Sequence, residues 1–528
     1  MKSRLSYFLI SGIILLLIFI GTFIWSNNHL EETPNLNKKS FTAPVSSRYI
    51  PTNADLVFHW KINPTLLPKY IENYQDKVNK SITNKKTKLI RDSFFKLISL
   101  DFTNEISEWS GGTGSFAIFN SNKQIFNDWL IVLEINEDVN TEEELEKVLG
   151  QKVIDENINL NNSLNISGSK LLSKKVNSNQ TIYFFNEQNY ILISSNLGII
   201  ESSIRQSKND TLSTKEKYKN LKLQDNINDG ILLLDMSPKK IFNLIGQEKD
   251  LLEINQTDKL ISSINIDKEE LILEGILSYD IKNKRPINDP SYDLINMEKE
   301  FNLFDNLILI DNPKKYFKKN DSHPYKKLIA SLIKESTEED FSNLFKMILE
   351  NNEGNLIWLK DKEWLALTRK ADTDKKEISD RLTKESFSSS NLDFSSKNLQ
   401  VWSKITSSNN EKYELKENIE AIIEENDGTY IWTQDLSSIS NFDNTKYLTK
   451  NSYSEYKSNE LNDFDDILRI HLGKEKTKLI LNNFYPYILL RTMLGKNLDP
   501  PQNIDISIAI PTVNYPDFIK FQISLKTS

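Results

Sequence analysis

The chain has 528 residues with 66 basic and 74 acidic side chains, a formal net charge of −8, and no cysteine. With both signs interspersed, no strong positive field gathers a polyanion, which excludes nucleic acid as an expected partner. The lack of thiols excludes disulfides, thiolate metal sites, cysteine nucleophiles and iron–sulfur ligation.

The first element is the run LSYFLISGIILLLIFIGTFIW, Leu5 to Trp25, which carries no charge. At about 1.5 Å rise per residue it is long enough to cross a hydrocarbon core of about 30 Å. Lys2 and Arg4 precede it and Trp25 stands at its far end. The positive-inside rule then predicts a cytoplasmic N-terminus and a single-pass anchor over residues 1–26, with the bulk of the chain periplasmic or lumenal. No small-x-small cleavage site follows, which disfavours a removed signal peptide. Residues 27–47 are polar and lack an apolar period, so they read as a flexible stalk.

Folded structure is expected from Arg48. Leu56, Phe58, Trp60 and Ile62 alternate as a half-buried strand that ends in Asn63-Pro64 and leads into LLPKYIENYQDKV. An Asn N-cap with Pro at the first helical position satisfies an orphan amide and presets φ. Ser237-Pro238, Asn312-Pro313 and Gly473 mark similar strand-to-helix junctions.

The next stretch, WSGGTGSFAIFN at 109 to 120, raises the question of a phosphate cradle. A phosphate loop places its amides at a helix N-terminus, usually followed by Gly-Lys-Ser/Thr. Here Gly111, Gly112 and Gly114 lead instead into a strand, and are expected to give backbone freedom at the entry to a hairpin.

Matches about 240 residues apart point to two copies: DFTN with DFSN, Trp129-Leu130 with Trp364-Leu365, Gly114 with Gly354, and NYILIS with TYIWTQ. The expected domains are 48–283 and 298–528. Each copy is predicted as α+β, a mostly antiparallel sheet with helices on one face, because Ile519, Phe521, Ile523 and Leu525 alternate with polar residues as a sheet with one dry face does. The polar stretches 385–396 and 440–464 read as loops.

The residues offer little chemistry. His29, His59, His323 and His471 lack metal spacing, no serine sits in GxSxG, and the carboxylates of STEEDF at 336 to 341 suit a helix N-terminus better than acid–base work. The Lys-Lys pairs at 239–240 and 314–315 read as solvated helix faces, with anionic headgroups as the alternative. No catalytic residue, cofactor or metal is expected. The apolar helix YPYILLRTML supplies candidate contacts to an apolar ligand or a membrane at Tyr485, Tyr487, Ile488 and Leu489; core packing is the other reading.

The anchor, the stalk, RYIPTNADLVFHWKINP, the glycine before a strand, the Trp-Leu strand and the repeated layout together resemble the cyanobacterial proteins grouped as domain of unknown function 3352. The resemblance implies a cyanobacterial envelope or thylakoid setting and supplies no active-site residue. The expectation is a non-catalytic, membrane-anchored binding or scaffold protein with an unknown envelope partner. The alternative is a carrier or chaperone for a lipid or other apolar ligand held between sheet and helices.

Overall fold

The structure is a computed structural model that describes residues 45–60, 63–72, 80–119, 128–136, 171–177, 180–209, 232–236, 259–267, 270–278, 305–317, 326–337, 340–408, 414–426, 428–441, 464–482, 501–511 and 518–526. These fall into two compact units, the first built from the described residues up to 281 together with 524–526, and the second from the other described residues, up to 523.

The strands of the first unit are β1 (Leu56–Trp60), β2 (Ser110–Phe119), β3 (Asp128–Ile135), β4 (Leu171–Asn177), β5 (Gln180–Glu187), β6 (Tyr190–Ser194), β7 (Leu232–Met236), β8 (Lys259–Asp267) and β9 (Glu270–Ser278). They pair in the order β4-β5-β6-β3-β2-β1-β7-β8-β9, antiparallel at every step. Its described helices are a short 3₁₀ turn, Val45–Tyr49, then α1 (Leu67–Glu72), α2 (Lys80–Leu97), a π-helical turn (Phe102–Ile106) and α3 (Leu197–Asn209).

The strand β3 explains the layering. Trp129, Ile131 and Leu133 point into a cluster with Phe95, Ile98 and Phe102, which lie on and just after α2. Leu130 and Val132 point the other way, into a cluster with Tyr49 of the 3₁₀ turn and Ile200 and Ile204 of α3. A strand covered on both faces has no solvent side, so its sequence runs apolar without alternation.

The second unit begins with β10 (Asn306–Ile310), α4 (Lys314–Phe317), α5 (Lys326–Thr337), α6 (Asn343–Asn351), β11 (Leu356–Lys360), β12 (Trp364–Arg369) and α7 (Lys375–Lys384). It continues with β13 (Ser388–Phe394), β14 (Lys397–Ser408), β15 (Glu414–Asn426), β16 (Thr429–Thr433), α8 (Leu436–Asn441), β17 (Phe464–Leu472), α9 (Lys474–Asn482), β18 (Asn503–Pro511) and β19 (Phe518–Lys526). The pairing runs β13-β14-β15-β16-β12-β11-β10-β17-β18, again antiparallel throughout. On one face Leu307, Ile357, Leu365, Ile422 and Ile431 pack with Ile439 of α8. On the other, Phe345 of α6 stands 6.3 Å from Trp358 and 5.9 Å from Trp364, ring centre to ring centre.

The expected fold class, α+β with helices on one face behind a transmembrane helix, is therefore corrected. Two large antiparallel sheets dominate the described residues, and both faces of their central strands are covered. Even on β19, Lys520 and Ser524 are each only 8% exposed, opposite Ile519, Phe521, Ile523 and Leu525. Among the described residues no helix is long and apolar enough to cross a membrane. The longest, α2, carries Lys80, Lys85, Lys86, Lys88, Arg91 and Lys96, charges too costly to place in hydrocarbon. The run Leu5 to Trp25 lies outside the described residues.

Three local readings also change. Ser46 and Ser47, expected in the stalk, are buried in the 3₁₀ turn. The glycines lie inside β2 and not before it, and none has a positive φ. Space is what Gly114 provides: a Cβ there would lie 2.6 Å from Trp60 Cε2 and 2.9 Å from the Val132 carbonyl oxygen. Finally, 385–396, expected as a loop, holds the edge strand β13. Of the stretch 440–464, residues 442–463 lie outside the described residues.

Candidate functional site

Three polar clusters and one apolar surface compete for a functional role. The glycine stretch is already occupied by an acid: the Thr113 amide and hydroxyl both donate to Glu134 Oε2, at 2.8 and 2.9 Å. The carboxylate takes an amide that an anion would need. Glu134 pairs across the ladder with Tyr190, whose ring lies 5.4 Å from that of Tyr49. Arg48 lies 4.7 Å over the Tyr49 ring, and its Nη2 donates to the Tyr49 hydroxyl at 2.5 Å and to Gln188 Oε1 at 2.8 Å. Burial pushes both tyrosine hydroxyls up in pKa, and the Glu134 charge adds to this at Tyr190. The second unit has a related arrangement, with Lys375 5.0 Å over the Tyr430 ring and Lys370 paired with Glu425.

The second cluster escaped the sequence reading. His59 and Ser115 are cross-strand partners in the β1–β2 ladder. Ser115 Oγ stands 2.6 Å from His59 Nδ1 and 2.7 Å from Ser46 Oγ. A serine beside an imidazole is the beginning of a nucleophile and base, yet all three residues are 0% exposed. A substrate carbonyl has no approach to Ser115 in this arrangement. The network satisfies buried hydroxyls and ties the 3₁₀ turn to the sheet. Only strand register brings these residues together, and nothing in their spacing announces it.

The third is His471, whose Nδ1 lies 2.5 Å from Asp505 Oδ1 of the facing strand, with both side chains about a third exposed (32% and 37%). The acidic stretch at 336 to 341 is partly used structurally, since Asp340 Oδ2 pairs with Lys360 at 2.5 Å. Lys314 pairs with Glu353, also at 2.5 Å. Tyr485, Tyr487, Ile488 and Leu489 lie outside the described residues, as do Lys239 and Lys240. Among the described residues, no group of three or more acidic or histidine side chains has metal-binding geometry.

The apolar surface belongs to the β13–β15 hairpins. At their base, Leu399, Val401 and Ile422 are buried in the core. Along β14 the same face continues through Ser403 to Ile405, and the register places Ile419 opposite Ser403. Ile405 is 71% exposed and Ile419 37%. The other face of the hairpin is held down: Trp402 is 5% exposed, and Lys404 lies 4.3 Å over the Phe387 ring. Ser403 Oγ donates to Glu417 and Asn418 Nδ2 to Thr406, which ties the two strands to each other there. The result is an ordered strand pair presenting isoleucines to solvent, a low-entropy platform for a contact.

A family model described as "Protein of unknown function (DUF3352)" matches residues 8–527. No curated protein and no solved structure matches the chain.

Proposed function

We propose that this chain, which belongs to the DUF3352 family, is a non-catalytic binding protein of a cyanobacterial envelope or thylakoid, built by internal duplication. The duplication reading rests on strand order: β4-β5-β6-β3-β2-β1-β7-β8 of the first unit and β14-β15-β16-β12-β11-β10-β17-β18 of the second follow the same path, with Trp129 and Trp364 opening the matching strands. The setting is what the family resemblance implies.

One observation carries the binding role, the exposed Ile405–Ile419 pair on a face continuous with the core. Two solvated isoleucines on a rigid hairpin gain free energy whenever a partner covers them. Carriage of a lipid between sheet and helices is the weaker reading, because Phe345 of α6 packs directly on Trp358 and Trp364 of the sheet.

The test places a photo-crosslinker beside Ile405 in cells that make the protein. Replacing Ile405 and Ile419 together by Thr, which keeps strand propensity and sets no carboxylate opposite Glu417, should cost about 1–2 kcal/mol of folding stability at most, since Ile419 is 37% exposed, and abolish the crosslinked species. Survival of that species, or turnover by the purified chain that a point substitution removes, overturns the proposal.

A further inference from the structure

The strand β13 is the terminal strand of its sheet among the described residues: it pairs with β14 on one side, and its residues from Ser388 to Asp393 are all exposed. An edge of this kind presents unpaired N–H and C=O groups, and proteins usually blunt it with Lys, Pro or a bulge. In β13, SSSNLDF, there is no Lys or Pro, and the seven ladder pairs with β14 run without a register shift. Its sole charge is Asp393. By contrast β4, the terminal strand of the first sheet, carries Lys174 and Lys175.

The order of residues in β13 says what would cover it. The N-terminal half is three serines, and the C-terminal half is Leu392, Asp393 and Phe394, with Asn391 at the centre. Antiparallel pairing of this strand with an identical one about Asn391 sets Leu392 against Ser390, Asp393 against Ser389 and Phe394 against Ser388. Each large side chain then meets a small one, and neither carboxylate meets the other. Leu392 and Phe394 fall on the face that carries the core of the unit, since they pair with Leu399 and Lys397 of β14; Phe394 already packs against that core. The pattern is self-complementary, as a two-fold symmetric interface requires.

We propose that a second copy of this chain adds its β13 antiparallel to β13 of the first, joining two sheets edge to edge about a two-fold axis at Asn391. This self-association stands apart from partner binding at Ile405 and Ile419, which the pairing does not cover, so either can fail without the other.

Sedimentation of the full chain across a concentration series tests it. The wild type should show a reversible monomer–dimer equilibrium. Ser389→Asp sets the introduced carboxylate against Asp393 of the other copy, twice by symmetry. That should raise the dissociation constant about tenfold, since like charges directly opposed are destabilising. Adding Asp393→Lys to Ser389→Asp turns both oppositions into attractions and should restore dimerisation, a rescue that a misfolded variant would not give. A wild type that stays monomeric, a dimer insensitive to Ser389→Asp, or a double variant that fails to recover while remaining folded would each overturn the proposal.

Discussion

Gly114 shows how a single residue sets the spacing of an element. It lies opposite Trp60 on β1 and Leu133 on β3, and the Trp60 ring lies across the space a Cβ would fill. The sequence identified the glycine and the strand but attributed the choice to φ freedom, when close approach is the cause. Gly114→Ala must push Trp60 or the β3 backbone aside, so it should destabilise the first unit by about 1–3 kcal/mol, the usual range for overpacking. Chemical denaturation checks this, and an unchanged midpoint would show that Trp60 gives way freely. Gly473 has the same character: a Cβ there would run into the Asp305 carbonyl, which accepts from the Gly473 amide at 2.6 Å. Its substitution for the Pro-containing junctions therefore reflects crowding in addition to capping. The buried contact of His59 with Ser115 was not legible at all, because cross-strand neighbours separated by 56 positions share no sequence signature.

At the scale of elements, legibility followed burial. Trp129–Ile135 and Leu356–Leu359 were recognisable as strands because they are apolar, but their lack of alternation was itself the sign that both faces are covered, a sign the alternating C-terminal strand obscured. The strand β13 was missed for the opposite reason. Exposed from Ser388 to Asp393, it places only Phe394 against the core and shows no apolar alternation over its serines, and its turn to β14 uses Ser395 and Ser396, both with positive φ (49° and 66°), where Asn-Gly would have announced a hairpin. The strand β15 carries a further irregularity, since its register shifts opposite Trp402 and Ser403 and leaves Glu420 outside the ladder. Burial raises the Glu420 pKa, with the Glu385 charge as the next cause, against Lys404 and the Leu344 amide. The folded state therefore holds this proton more tightly than the unfolded chain does, and the stability it contributes is complete below the ordinary glutamate range and lost as pH rises through the raised value. Glu420→Gln keeps an acceptor for the Leu344 amide and removes the charge. The variant should be more stable than the wild type at neutral pH, with the difference vanishing under acid. Paired melting curves across pH read this out, and a difference that grows on acidification would reverse the assignment. Taking the difference is necessary because Asp101, Asp435 and Glu425 have lowered pKa values and lose their stabilising contribution as pH falls.

At the scale of the molecule, each sheet gathers its own core. The clusters around Trp129 and around Leu130 and Val132 draw residues from the first unit alone, and the cluster around Leu307 and Ile431 draws on the second alone. Within each unit the described ladders link strand to strand, from β4 to β9 in the first and from β13 to β18 in the second. Cooperative unfolding follows shared packing, so each core defines a transition of its own. The whole chain should then unfold calorimetrically in two transitions, and Gly114→Ala, acting only on the first core, should lower one and leave the other in place. A shift of about 4 °C per kcal/mol or less is the scale for units above 150 residues, large enough to separate the two cases. A single transition that moves as one under Gly114→Ala would mean that the two units share their stability.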